Sequence, residues 1–224
     1  MSQDIWTAVD NYFGDLLIPS DPALDAALQA SVAAGLPSIQ VSPSQGKLPH
    51  LIARIQGARN ILEIGTLGGY STIWMARAIP ENGRVLTLEA DPKHADVARK
   101  NFSQAGVAGK VELRLGKALE TLPQVASEGL GPFDLFFIDA NKNNMPEYFE
   151  WALKLSHPGS VMIADNVVRN GAVLDTNTND ADIQGVRRFT EMLAKEERVT
   201  ATTLQTVGSK GYDGLTLILV NEAL

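Results

Sequence analysis

The chain has 224 residues, 45% of them hydrophobic and 20% charged, a globular balance that excludes a long disordered segment and leaves enough material for one domain with a sizeable core. A formal net charge of −7 argues against a general nucleic-acid surface, because phosphates select basic faces. With no cysteine there is no disulfide, thiolate metal site or cysteine nucleophile, and a reducing compartment is allowed.

The acidic start, from Met1 to Asp10, lacks the basic segment and apolar run of a secretory signal. No apolar stretch approaches the ~20 residues that a membrane helix needs, so a cytoplasmic protein is expected, with no membrane partner. Ile5, Trp6, Val9, Tyr12, Phe13, Leu16 and Leu17 recur at spacings of three and four and predict a helix from Asp4 to Leu17. Asp21 with Pro22 starts a second helix that runs to about Ala34, and a third is predicted from Ser44 to Gln56. The first pair reads either as a packing layer or, from the aromatics Trp6, Tyr12 and Phe13, as a lid or dimer contact. Residues 1–57 are expected to form a helical extension and 58–224 an α/β core, together one domain spanning 1–224.

The α/β repeat opens at Asn60. Ile61, Leu62 and Ile64 form a buried strand, Gly65, Gly68 and Gly69 a tight turn, and Tyr70 to Ile79 a helix. Such a turn is a ligand site at the carboxyl edge of a parallel sheet or a plain strand-to-helix connection. The spacing is G-x-x-G-G rather than G-x-G-x-x-G, and Glu63 precedes the first glycine by two residues. A carboxylate there repels phosphate and suits a cationic or amine-bearing ligand, such as the aminoacyl sulfonium of S-adenosylmethionine (SAM). Glu89 ends the next strand, Arg84 to Glu89 with its apolar run at Val85 to Leu88, where folds of this kind keep an acid for ribose hydroxyls.

A helix from Pro92 to Ala105, a strand at Val111 to Leu115, a helix from Ala118 to Ala126 and a strand at Phe133 to Ile138 follow. Then come a helix from Pro146 to Leu155, a strand at Val161 to Ala164 and a helix from Ile183 to Leu193. Helical crossovers imply parallel pairing with helices on both faces. The ending differs, since Thr200 to Val207 and Leu215 to Val220 are joined by a hairpin-length connection from Gly208 to Gly214. A seven-stranded, mostly parallel, Rossmann-like sheet closed by a C-terminal antiparallel hairpin is expected.

Two successive strands end in acids, Asp139 and Asp165, the second followed by Asn166. Neighbouring parallel strands present these ends on one edge, so the three converge beside the glycine turn. Two carboxylates and an amide oxygen make an all-oxygen set suited to Mg2+, Mn2+ or Ca2+ and not to zinc. Each acid taken alone reads as a turn cap. His50, His94 and His157 show no paired ligand spacing and read as surface or helix-end residues.

With E-I-G-T-L-G-G-Y-S at 63–71, Glu89, F-I-D-A-N-K at 137–142 and A-D-N at 164–166, the chain resembles the cation-dependent class I SAM-dependent O-methyltransferases, which include the catechol and caffeoyl-CoA enzymes. The likeness extends from about Val41 to the final hairpin. Position by position, it implies SAM contacts at Val41, Glu63, Gly65, Thr66, Ser71, Glu89, Ala118 and Asp139. It further implies divalent-cation ligands at Asp139, Asp165 and Asn166, and catalytic roles for Lys142 and Asp139. Ala118 offers no side-chain hydroxyl to the adenine region, and residues 170–182 do not align with the substrate-gating loops of either enzyme, so no specificity residue is carried over from there.

The implied reaction moves the methyl group of SAM to a hydroxyl of a small catechol-like or phenolic acceptor, in a homodimer. The alternative acceptor is a hydroxylated tRNA base, for which Arg169, Arg187, Arg188 and Lys210 would furnish local positive charge. A nucleotide-dependent oxidoreductase shares the fold but not the glycine spacing, and a non-catalytic binding protein has no need of the acid and lysine set.

Overall fold

The computed structural model describes residues 2–221. Helices α1 (Gln3–Leu17), α2 (Pro22–Ala33) and α3 (Pro43–Gln56) precede a sheet built from β1 (Asn60–Ile64), β2 (Arg84–Glu89), β3 (Val111–Leu115), β4 (Phe133–Ile138), β5 (Ser156–Asp165), β6 (Val199–Gly208) and β7 (Gly211–Val220). The crossovers are α4 (Tyr70–Ala78), α5 (Pro92–Gln104), α6 (Ala118–Ser127), α7 (Met145–Lys154) and α8 (Ala181–Leu193). The seven strands lie in the order β3-β2-β1-β4-β5-β7-β6. β1 to β5 pair in parallel, whereas β7 pairs antiparallel with both β5 and β6. The strand order reverses between β1 and β4, which opens a crevice at their carboxyl ends.

Strand alternation divides the core. Leu62, Ile64, Phe136 and Ile138 face Leu122, Phe149 and Phe189 of α6, α7 and α8, while Ile61, Leu135 and Phe137 face Ala53, Ile73 and Ala98 of α3, α4 and α5. The central strands have no solvent face, which explains their near-continuous apolar runs. At the opposite, amino edge, Asp134 accepts from the main chain of Arg59 (2.7 Å) and Asn60 (2.8 Å) and meets His157 Nε2 at 2.9 Å.

Local signals explain the helix starts. The Asp21 side chain caps α2 with Pro22 in its first turn and also pairs with Arg77 of α4, tying the extension to the core. Ser42 and Gln45 form a reciprocal capping box at the start of α3, and Gly57 ends that helix in the left-handed region.

Two expectations need correction. The connection between the last two strands is shorter than the span 208–214, since β6 continues to Gly208 and β7 begins at Gly211 (φ +96), leaving Ser209 and Lys210 as the turn. The packing-layer reading holds for α2, which buries Leu24 and Ala27, but not for α1, which buries nothing. Ile5, Val9, Tyr12, Phe13, Leu16 and Leu17 all face solvent, and α1 is held instead through polar contacts with the hairpin tip, Gln3 Nε2 to Gly208 O (2.8 Å) and Ser209 N to Asp10 Oδ2 (2.8 Å). No described helix is long and apolar enough to cross a membrane.

Candidate active site

β1 delivers the chain into Gly65, whose φ is +104. A Cβ at this position would stand 2.1 Å from the carbonyl oxygen of Asp139, so the loop crosses the end of β4 at backbone-to-backbone range. Gly69 (φ +83) opens α4 under the same restriction, since a Cβ there would lie 2.3 Å from the Phe102 ring. Between them Leu67 adopts φ 51, an uncommon conformation for a residue with a side chain. Its N–H donates to Glu89 Oε2 at 2.7 Å, and Asn101 Nδ2 donates to Gly68 O at 2.8 Å. The loop is therefore braced from β2 and α5.

Glu63 is wholly buried, its two oxygens accepting from the hydroxyls of Ser71, Thr72 and Thr87, the last at 2.6 Å. Burial pushes its carboxyl up to about 7 against the pull of those hydroxyls. The side chain points from the strand end under the first turn of α4, so Glu63 forms the floor of the loop. Thr66 is buried beside it with its hydroxyl on Thr87.

Glu89 is nearly buried and serves both loops at this edge, with Oε1 accepting from Asp91 N at 2.9 Å. Each carboxylate oxygen keeps further acceptor capacity for a hydroxyl. His94 Nδ1 lies 3.5 Å from Oε1. Ala118 starts α6 past the end of β3, and Val41 precedes α3, packed in the cluster that includes Tyr70 and Trp74 of α4.

Across the crevice, Ile138 of β4 pairs with Ala164 of β5, so Asp139 and Asp165 leave the sheet side by side. Lys142 Nζ donates to Asp139 Oδ1 at 2.8 Å and is almost buried, its side chain 5% exposed. Asp165 is buried, and its carboxyl is raised to about 7 by burial and by the charge of Asp139, with Lys142 pulling the other way. Asn166 follows in the left-handed region, φ 57, its N–H on Asp165 Oδ1 at 2.8 Å. One ammonium therefore answers two converging carboxylates. Hard oxygen donors with surplus negative charge fit a divalent cation.

Sequence reading missed the residues that hold Lys142 in place. The turn Lys142–Asn144 sits on α8, where Asp182 Oδ1 accepts from Asn143 N (3.0 Å) and Arg188 Nη2 donates to Asn143 O (3.1 Å). The available signal was small: Gly185 interrupts an otherwise amphipathic helix, which marks a close approach. The four cations considered for a basic surface are engaged, Arg169 near Asp182 (3.8 Å), Arg187 on Val173 O (2.6 Å), Arg188 as above and Lys210 on Ser38 O (3.1 Å).

Residues 20–220 match a family model described as O-methyltransferase. Among curated proteins, the catechol O-methyltransferase of Niastella koreensis is 54% identical over 98% of this chain and 100% of its own length. An O-methyltransferase from Bacillus cereus, solved in complex with SAH, superposes with a TM-score of 0.97 at 58% identity over 98% of this chain and 100% of its own. TomG from Streptomyces achromogenes, an O-methyltransferase involved in tomaymycin synthesis and solved with SAM, gives 0.96 at 55% identity over 99% of this chain and 100% of its own.

Proposed function

The chain belongs to the O-methyltransferase family and is a class I SAM-dependent enzyme, and from that premise we propose that it methylates a hydroxyl oxygen of a small catechol-like or phenolic acceptor with the help of a divalent cation. The observation that carries this reading is the pairing of Asp139 and Asp165 with Lys142 and Asn166 at the strand edge beside the glycine loop. Asp139, Asp165 and Asn166 would hold the cation, which when bound supplies Lewis acidity that lowers the acceptor's hydroxyl pKa.

This chain's own groups do the rest. Gly65, Thr66 and Ser71 shape the donor pocket, Glu63 fixes Ser71, and Glu89 offers acceptor capacity to ribose hydroxyls. Val41 and Ala118 bound the pocket, and Asp139, carried over as both a donor contact and a catalytic residue, lies between donor and acceptor. The C–S bond of the sulfonium breaks as the new C–O bond forms. Lys142 stabilises the developing oxyanion through its ammonium or, in its neutral form, takes the proton of the acceptor hydroxyl, and rigid placement of both reactants supplies much of the acceleration.

The relative from Niastella koreensis, named for catechol, supports the acceptor class. The solvent-facing apolar stripe of α1 supports a homodimer, which sedimentation as a monomer at micromolar concentration would overturn. A cytoplasmic enzyme of one domain, 1–224, with 1–57 as its helical extension, completes the proposal.

The test is methyl transfer from labelled SAM to a panel of catechols and phenols, with Mg2+ or with EDTA. Turnover that requires the cation is expected. Full turnover in EDTA removes the cation, and methylation of bulk tRNA with none of the panel would replace the acceptor class.

A further inference from the structure

We infer that Asp213, on β7, is the positioning residue that sets the Asp165–Asn166 turn in the geometry a cation needs. The inference rests on the proposed cation site and adds a residue outside its ligand set. β7 runs antiparallel to β5, with Leu215 opposite Asp165. Beyond that pair the chain leaving β5 folds back over the start of β7. Val167 N donates to Gly214 O at 3.0 Å, and a single oxygen, Asp213 Oδ1, accepts from Val168 N (3.0 Å), Arg169 N (2.9 Å) and Gly214 N (2.9 Å).

The turn needs this support. Asn166 (φ 57), Arg169 (φ 55) and Asn170 (φ 54) all occupy the left-handed region, which residues with side chains hold only when their surroundings over-determine it. Gly214 leaves space for the turn, since a Cβ there would lie 2.5 Å from Val168 Cγ2. Three N–H groups converging on one oxygen fix the segment directly after Asn166. Loss of that oxygen frees Val168 and Arg169 to relax, and the Asn166 amide moves with them. The amide oxygen of an asparagine would do the same work as Oδ1 without the charge, which separates positioning from simple electrostatic attraction.

The experiment is a Mn2+ titration followed by electron paramagnetic resonance, on the wild type, Asp213→Ala and Asp213→Asn. SAH affinity by calorimetry serves as the fold control, because the glycine loop is braced from β2 and α5. Alanine should weaken Mn2+ binding by about 10–100-fold with SAH affinity unchanged, whereas asparagine should stay within about threefold of the wild type. Asp213→Ser, whose shorter hydroxyl cannot span the three donors, replaces the alanine variant if that protein fails to bind SAH. Equal Mn2+ affinity in the alanine variant and the wild type overturns the inference alone, as does an asparagine variant as weak as alanine. A wild type that binds no Mn2+ overturns the cation reading and this inference with it.

Discussion

Gly185 and the Lys142 turn meet with no room for a side chain between them: a methyl group on Gly185 would stand 2.2 Å from the carbonyl oxygen of Lys142 and 2.6 Å from the Cα of Asn143. Helix α8 is thus the bed on which the proposed catalytic lysine is set, with Asp182 and Arg188 gripping Asn143 on either side of the contact.

Replacing Gly185 with alanine should push the turn away and carry Lys142 Nζ from its place beside Asp139. An ångström of displacement at a reacting group costs up to ~100-fold, so kcat is expected to fall about 10–100-fold while SAM affinity stays within about twofold. Alanine is the better helix former by about 1 kcal/mol, so stability should fall by less than the steric clash alone would cause. Steady-state kinetics with calorimetric SAM binding checks both parts. Unchanged kcat would show that α8 does not set the lysine.

Lys142→Met keeps length and apolar bulk but removes the ammonium that bonds Asp139. Loss of a positioned proton-transfer or oxyanion group is expected to lower single-turnover methyl transfer by about 10²–10⁴-fold. Binding of SAM, whose proposed pocket lies on the other side of Asp139, should be retained.

Glu63 titrates in the fold at about 7 against an ordinary value of 4.5, chiefly because burial disfavours its charge. Between those values the folded chain keeps a proton that the unfolded chain has released. The Glu63 contribution to stability is therefore full below pH 4.5 and is lost as pH rises through 7, by about 3 kcal/mol at ~1.4 kcal/mol per pKa unit. Glu63→Gln should flatten that part of the slope. Denaturant melts at pH 5 and pH 8 give the comparison, and an equal loss in both proteins would sink it.

The Asp134–His157 pair at the amino edge combines both senses. Burial opposes the effect, but bonds from Asn60, Arg59 and His157 hold the Asp134 carboxyl below 3.8, and the bond to Asp134 raises His157 above 6.5. The aspartate's contribution is present above pH 3.8 and lost on acidification, while that of the histidine is present below pH 6.5 and lost as pH rises through its raised value. His157→Ala should therefore destabilise by less than ~1 kcal/mol at pH 5–6, the imidazole being partly exposed, and by nothing measurable at pH 9. Thermal melts across pH 5–9 test it.

What the sequence determined by itself is the part written in local periodicity. Apolar runs too continuous for a one-faced strand, crossovers of helical length, a glycine turn after Ile64 and acids ending β4 and β5 are each legible within ten or so residues, because backbone geometry sets them. Parallel pairing then obliges Asp139 and Asp165 to share an edge, and the register of Ile138 with Ala164 gives that edge its shape. The tertiary structure alone decided which atoms each group meets. Glu63 looked available to a ligand and is instead the buried floor of the loop, because the hydroxyls of Ser71, Thr72 and Thr87 close around it. The apolar stripe on α1 announced a helix without saying whether the core would cover it, since periodicity records a face and not its partner. The supports of the site were invisible for a related reason: Asp182 reaches Asn143 across 39 residues and Asp213 reaches Val168 across 45. In each, one side chain binds main-chain groups that every residue carries, so only the folded path of the chain selects the partner.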